Sequence, residues 1–326
     1  AMKQPLYSVV VPACNEEECL RALHGRLTKV MRGLGEPYEL LFVNDGSTDG
    51  TAAILEDLCS RDRACRALFF SRNFGHQAAI TAGMREARGR AIVTIDADLQ
   101  DPPEAIPGLI RAWEGGAEVV YGRRVRRNAE NLFKRLTASL FYRFLNALTD
   151  VPLPNDVGDF RLVDRKVADC LNGLGERHRY VRGLVRWLGF REEIVDYVRE
   201  ARWAGATKYP LKKMVSFAVD AITSFSNRPL RVASWLGAFA ALGGFVYLLV
   251  ILLRKLLGFG MVEGWASLVS LTVGFNGLII LFLGLLGEYL GRIFDEVKGR
   301  PLYVVSRTLD GSRAARRRGA SSARGR

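Results

Sequence analysis

Over the first 125 residues, short β-branched runs recur between helix-length mixtures of polar and apolar positions: Tyr7 to Val11, Leu40 to Val43, Arg66 to Phe70, Ala91 to Ile95 and Glu118 to Tyr121. Continuous apolar strands separated by helices suit a mostly parallel sheet covered on both faces, so residues 1–209 are expected to form a doubly wound α/β domain. Ligands of such sheets bind beyond the carboxyl ends of the strands. Near Tyr209 the period lengthens: Leu211, Val215, Ala218, Ile222 and Phe225 recur at spacings of four and three between Pro210 and Pro229. An amphipathic helix is therefore expected over 210–231. It could pack on the domain, but its place before an apolar run favours the membrane interface.

Two stretches then carry no charge, Val232 to Leu253 with 22 residues and Trp265 to Gly287 with 23. Roughly 20 apolar residues at 1.5 Å rise cross a bilayer as a helix, so 232–290 is expected to be a two-helix transmembrane hairpin. A pair of buried core helices is the alternative, although such helices rarely run this long without a charge. The eleven residues between the runs hold only Arg254, Lys255 and Glu263 as charges. Lys212, Lys213, Arg228 and Arg231 precede the first run, and Arg292, Lys298 and Arg300 follow the second. The positive-inside tendency places both ends in the cytoplasm. With no signal-peptide pattern at the start, residues before the first span are expected to be cytoplasmic too.

Charge adds a tail to this scheme. The formal net charge is +13, and seven arginines against one aspartate from Arg307 onward account for six of it. That Gly-, Ser- and Ala-rich end, within a basic tail over 291–326, is expected to be disordered beside an anionic leaflet. Nucleic acid is not an expected partner, because no recognised binding module accompanies the charge. Cysteines 14, 19, 59, 65 and 170 form no C-x-x-C pair and read as reduced structural thiols.

Acidic segments follow three of the strands: Val11-Pro-Ala-Cys-Asn-Glu-Glu17, Val43-Asn-Asp-Gly-Ser-Thr-Asp49 and Asp96-Ala-Asp-Leu-Gln-Asp-Pro-Pro-Glu104. An edge lined with acids attracts cations, and a nucleotide diphosphate needs a cation there. If Asp96, Asp98 and Gln100 continue an extended alternation, their oxygens face one side and suit Mg²⁺ or Mn²⁺. Asp45 to Gly50 with Glu56 nearly fits a calcium-loop pattern, but such a loop must follow a helix and this one follows a strand. Asp49 reads as a cap for a helix starting near Thr51.

These segments, with Ser71-Arg-Asn-Phe-Gly75 and Gly158-Asp-Phe-Arg161, make the chain resemble family 2 glycosyltransferases. More narrowly it resembles the polyprenyl-phosphate glycosyltransferases, the group of bactoprenol glucosyltransferase and dolichol-phosphate mannose synthase, from about Tyr7 to Arg300. The resemblance implies a GT-A fold, with Pro12, Glu16, Asp45 and Ala97 at the nucleotide and Asp96, Asp98 and Gln100 holding Mg²⁺ or Mn²⁺ on the donor diphosphate. It places Arg202 and Lys208 on that diphosphate, and Arg123, Arg135 and Ser139 on the acceptor lipid phosphate. It makes Asp159 the candidate base, although an acceptor phosphate with second pKa near 6 is already mostly dianionic at pH 7, so Asp159 could position the acceptor instead. His76 is equally readable as a phosphate contact, a cap or a surface residue, and His24 and His178 as structural or solvent-facing. Arg186-Trp187 occurs with Gly183 where processive synthases carry Gln, which favours a single transfer.

The implied reaction is an inverting, metal-dependent transfer from a nucleotide sugar, UDP-glucose first, to polyprenyl (undecaprenyl) phosphate, for cell-envelope glycan or lipid modification. The resemblance also implies a multi-pass protein of the bacterial inner (plasma) membrane and a homotetramer. UDP-GlcNAc, an amino-arabinose donor, GDP-mannose or a diacylglycerol acceptor stay open, as does a non-catalytic membrane subunit.

Overall fold

The structure, a computed structural model, describes residues 4–125, 157–177, 179–198, 228–257 and 264–312. Strands form at all five of the expected runs: β1 (Tyr7–Ala13), β2 (Tyr38–Asn44), β3 (Cys65–Phe70), β4 (Ala91–Thr94) and β5 (Val119–Val125). Helices α1 (Leu20–Gly33), α2 (Thr51–Arg61), α3 (His76–Glu86) and α4 (Ile106–Glu114) fill the intervals. α1, α2 and α4 show the periodicity that buries one face, whereas α3 is buried continuously over residues 79–84. In α1, Leu20, Leu23, Leu27 and Met31 are all fully buried. A Cβ on Gly83 of α3 would lie 2.1 Å from Val10 Cγ1, so this glycine lets α3 approach β1 closely.

Among the described residues one sheet has the order β7-β5-β6-β4-β1-β2-β3-β8. Its centre, β4-β1-β2-β3, is parallel as expected. The flanks are not. β6 (Val157–Asp164) runs antiparallel to both β4 and β5, β7 (Glu192–Val198) runs parallel to β5, and β8 (Val305–Asp310) runs antiparallel to β3. The sheet is therefore mixed α/β. Helices α5 (Arg165–Gly173) and α6 (Val181–Trp187) lie between β6 and β7 in sequence. Chain order reverses at β1, whose neighbours are β2 and β4, and that reversal opens a crevice at the carboxyl ends.

The described residues fall into two compact units, the sheet unit including 301–312 and a helical unit within 228–300. The helical unit holds α7 (Arg228–Leu256) and α8 (Trp265–Val297). Among the described residues, one helical segment, Gly274–Val297, is long and apolar enough to cross a membrane, with mean hydropathy 1.7 and no part buried by the chain. α7 contains the shorter apolar stretch Ala233–Tyr247, and its Phe239 is 67% exposed. Residues 210–227 of the expected amphipathic helix lie outside the described residues, and 228–231 are the first turn of α7.

The tail expected over 291–326 needs correction. α8 continues to Val297, and Val305–Asp310 is an ordered edge strand rather than part of a disordered end. The β-branched and apolar positions of Val305-Ser-Arg-Thr-Leu-Asp310 decide this over the basic composition, with Leu309 packed against the core and Ser306 Oγ donating to Phe69 O at 2.9 Å. Residues 313–326 lie outside the described residues.

At the amino ends of the strands a buried polar cluster ties four strands together. Arg66 Nη1 donates to Glu39 Oε2 at 2.7 Å, and Ser8 Oγ donates to Glu39 Oε1 at 2.6 Å. Asp310 stands 3.9 Å from Arg66 and 3.2 Å from Arg88. Arg66 and Glu39 are both about one-twentieth exposed, so removing one strands the other charge in a low-dielectric site. Arg66→Met is expected to cost about 3–5 kcal/mol. A fall in the denaturant midpoint of the solubilised protein checks this.

Candidate active site

The parallel register of β1, β2 and β4 brings the segments after Ala13, Asn44 and Thr94 to one edge, and the 71–75 loop after β3 joins them. β6 reaches the same edge from the opposite direction. Thr94 pairs with Arg161, so Asp159, two residues earlier on an antiparallel strand, stands just past the end of β4. Proximity of these segments is thus a consequence of topology.

The first two loops are laced together. Asn15, at φ 57°, accepts from Thr48 N at 2.8 Å, and its own amide donates to Ser47 Oγ at 3.0 Å. The Glu16 amide donates to Thr51 Oγ1 at 2.9 Å, and Gly50 N donates to Glu17 Oε2 at 2.7 Å. Asp49 accepts from Thr51 N at 3.0 Å, but Gly50 rather than Asp49 is the N-cap of α2, so Asp49 braces the turn into the helix instead of capping it. Burial opposes ionisation of Asp49, but the hydrogen bonds from Thr51 and Glu17 outweigh it and lower its pKa. Pro12, paired with Val43 in the sheet, is buried beneath these loops.

Asp45 is buried and both its oxygens are engaged, Oδ1 by Phe74 N at 2.6 Å and Oδ2 by Gly75 N at 2.9 Å. Its neighbour Gly46 has φ +63°, and a Cβ there would lie 2.3 Å from the Arg72 carbonyl carbon. Backbone therefore crosses backbone here, and only glycine leaves the space.

The Asp96 to Gln100 segment is a turn rather than the extended alternation expected. Leu99 adopts φ 58° while its side chain is 1% exposed, a left-handed conformation that costs a non-glycine residue on the order of 1–3 kcal/mol. Gln100 N donates to Asp98 Oδ1 at 3.1 Å, and Ala97 is buried. Asp96 Oδ1 is closed off from solvent without a hydrogen-bond donor among the described residues. Its pKa is pushed up to about 6 by burial, with His76 lowering it and the carboxylates of Asp159, Asp101 and Asp98 raising it. Asp101 is fully buried. It accepts from the Tyr197 hydroxyl, and Arg124 Nη2 lies 3.5 Å from its other oxygen, so the turn is fastened to β5 and β7.

Asp159 is the most heavily bonded carboxylate described. Arg182 grips it with two bonds of 2.9 and 2.8 Å, Arg161 Nη2 donates at 2.8 Å, and His76 Nε2 lies 3.2 Å from Oδ2. Burial opposes its ionisation, but these partners hold its pKa well below the usual carboxylate range. His76 also stands 3.6 Å from Asp96 Oδ1. Burial pulls the imidazole pKa down, and the Asp159 hydrogen bond with the charges of Asp96 and Asp159 raises it above its ordinary value.

Of the residues singled out in the sequence, Pro12, Glu16, Asp45, Asp96, Ala97, Asp98, Gln100 and Asp159 lie on this edge. Arg123 forms a two-bond pair with Asp196 at 2.7 and 2.9 Å on the neighbouring strand. Arg135, Ser139, Arg202 and Lys208 lie outside the described residues, as does His178. His24 is structural, paired with Asp62 at 3.0 Å. The sequence reading missed the clamp formed by His76, Arg161 and Arg182. His76 follows the 71–75 segment directly, a usable signal, whereas Arg182 meets Asp159 through tertiary folding alone.

The sequence model described as Glycosyl transferase family 2 matches residues 8–171. The chain is 51% identical over 302 residues to the uncharacterised glycosyltransferase YkcC of Bacillus subtilis (strain 168), covering 93% of this chain and 94% of that protein. It is 39% identical over 309 residues to the bactoprenol glucosyl transferase of Shigella phage SfII, covering 94% and 99%. Among solved structures it is similar to glucosyl-3-phosphoglycerate synthase from Mycobacterium tuberculosis, crystallised with Mn²⁺, UDP and phosphoglyceric acid. That likeness has a TM-score of 0.48 at 21% identity, over 67% of this chain and 76% of the other.

Gly46→Ala combines a disfavoured φ with a backbone collision, and an expected loss of about 1–3 kcal/mol of stability follows. A lowered thermal midpoint with retained secondary structure by circular dichroism checks it.

Proposed function

The chain belongs to glycosyl transferase family 2, and on that premise we propose that it transfers glucose from UDP-glucose to a polyprenyl phosphate, with inversion at the anomeric carbon. Near-full-length similarity to bactoprenol glucosyl transferases supports the donor sugar and the acceptor lipid. The observation that carries the site reading is Asp96 Oδ1, a buried carboxylate oxygen without a donor among the described residues, at the edge where the acidic segments meet. A cation satisfies such an oxygen.

Among the described residues no three His, Cys, Asp or Glu side chains form a ready-made ligand group. Mg²⁺ and Mn²⁺ do not require one, since such ions take one or two carboxylates and fill their remaining positions with water and phosphate oxygens. Asp96 and Asp98, with the amide oxygen of Gln100, are that kind of set. When bound there, a divalent cation neutralises the donor diphosphate and eases its departure.

In the reaction an acceptor phosphate oxygen forms a bond to the anomeric carbon as the bond from that carbon to the diphosphate oxygen breaks, and UDP leaves. A dianionic acceptor has no proton to surrender. Asp159 is a poor base, held as a carboxylate by three donors. Its proposed role is to orient Arg182 and His76 toward the reacting phosphates. Arg202 and Lys208 are assigned to the departing diphosphate, and Arg123, Arg135 and Ser139 to the acceptor phosphate. Arg123 would exchange Asp196 for that phosphate. Pro12, Glu16, Asp45 and Ala97 line the nucleotide. α7 and α8 are assigned as a membrane hairpin of a multi-pass inner-membrane protein, a role that suits their exposed apolar side chains.

The test uses full-length detergent-solubilised protein with undecaprenyl phosphate, a panel of nucleotide sugars and Mn²⁺ or Mg²⁺, with products identified by mass spectrometry. The expected product is a β-linked glucosyl lipid phosphate from UDP-glucose alone; full activity after chelation would overturn the metal assignment. Asp98→Ala is expected to lower turnover by about a hundredfold or more. Asp159→Asn is expected to lower turnover severely while nearly keeping donor KM, and unchanged turnover would remove Asp159 from the reaction.

Protons compete with metal for Asp96. Because its folded pKa is raised, protonation sets in as pH falls through about 6, and the carboxylate form dominates above that. Mn²⁺ affinity, followed by titration calorimetry, is expected to be flat above pH 7 and to fall by about tenfold per unit well below pH 6.

A further inference from the structure

The segment between the end of α8 and the start of β8 meets the edge loop that holds Asp45. Tyr303 stacks on Phe70 with ring centroids 5.0 Å apart and planes 12° from parallel. Phe70 in turn meets Phe74 edge-on at 5.7 Å. Phe74 contributes the backbone N–H that reaches Asp45 Oδ1 at 2.6 Å, and the next residue contributes the N–H to Oδ2. A run of three aromatic rings therefore ends on the two amides that fix the carboxylate.

Regular strand pairing does not by itself account for the placement of this loop. The β3–β8 register shifts between Phe69 and Phe70, so the ladder is irregular where the loop departs. Past that point the chain is held by Ser71 N donating to Val304 O at 3.0 Å and by the Tyr303 ring. Further contacts act on the loop itself: Arg72 lies 4.2 Å from the Phe74 ring centroid, and Asn73 Nδ2 donates to Cys14 Sγ at 3.2 Å. Gly75, at φ +100°, turns the chain into α3. Asp45 is buried, so displacing the two amides would leave a carboxylate without donors, and the orientation of Asp45 depends on that of the loop.

We propose that Tyr303 is a positioning residue for the nucleotide-sugar pocket, acting through Phe70 and Phe74 on the loop whose amides hold Asp45. This rests on the reading, made above, that Asp45 contacts the nucleotide. Tyr303 touches neither substrate, and what it contributes is the geometry of Asp45. Five residues, 298–302, separate it from Val297, so the chain leaving an apolar helix passes directly into a support of the donor site.

The experiment compares Tyr303→Ala, Tyr303→Phe, Phe74→Leu and Asp45→Asn in the full chain. KM for UDP-glucose, KM for undecaprenyl phosphate, kcat and the thermal midpoint are measured for each, with UDP affinity by calorimetry in the presence of Mn²⁺. Tyr303→Ala is expected to raise donor KM and UDP Kd by roughly three- to tenfold, the scale of one aromatic pair. kcat and acceptor KM should stay within about twofold, since the loss is confined to binding of one substrate. Tyr303→Phe keeps the ring and should match the parent. Phe74→Leu breaks the next contact in the run and should reproduce the donor defect, which keeps the test open if Tyr303→Ala fails to fold. Unchanged donor KM in Tyr303→Ala, equal rises for donor and acceptor, or a Tyr303→Phe variant as impaired as the alanine would overturn the proposal. If Asp45→Asn weakens UDP binding while Tyr303→Ala and Phe74→Leu do not, the nucleotide assignment stands and the positioning role falls. If Asp45→Asn leaves UDP binding unchanged, the nucleotide assignment itself falls.

Discussion

A carboxylate removed from water has to be matched by donors, and at the carboxyl edge of this sheet that requirement falls on Asp159. It sits on an antiparallel strand beside β4, and it is satisfied by Arg161 from its own strand, Arg182 from α6 and His76 from the start of α3. Three elements distant in sequence are thereby fixed around one pair of oxygens. The same histidine faces Asp96, so the geometry of the proposed metal edge is tied to this buried ion cluster. Pairing here gives orientation more than stability, because the desolvation of such groups consumes most of what their attraction returns.

The two ends of the sheet divide the work. At the amino ends, Glu39, Arg66 and Asp310 join with Ser8 to tie four strands. At the carboxyl ends lie Leu99 and Asn15 with positive φ, the crowded Gly46 and the unbonded Asp96 oxygen. The two non-glycine residues with positive φ among the described residues, Asn15 and Leu99, both lie at the end that carries the proposed site, and the cohesive cluster lies away from it.

The central strands were legible because continuous apolar runs such as Leu40 to Val43 have one sensible use, a strand buried on both faces. The acidic segments were legible as one edge because parallel strands put their ends together. Less visible were the strands that pair across long separations. β6 and β7 flank a stretch whose local pattern carries no statement about partners, and β8 lies in a segment whose arginines suggested a solvated tail. The turn at Asp96 was misjudged for a related reason. Alternation in Asp-Ala-Asp-Leu-Gln suggests an extended strand, but burial of Leu99 is strong enough to pull the backbone into a left-handed conformation. Arg182 could not be assigned to Asp159 at all, since a helical residue 23 positions along the chain declares its partner only when folded.

The position of β8 sets an order of events during synthesis. Phe70 and Val305 are paired although 235 residues apart, and both long apolar helices are made between them. While the nascent chain still lacks its last strand, β3 is an open edge with unpaired amides, the kind of edge that recruits foreign strands. Closure of a ladder at such separation is slow compared with local helix formation. The sheet can therefore be finished only after the apolar segments have left the ribosome, so that delivery of those segments to their environment precedes completion of the unit that carries the chemistry.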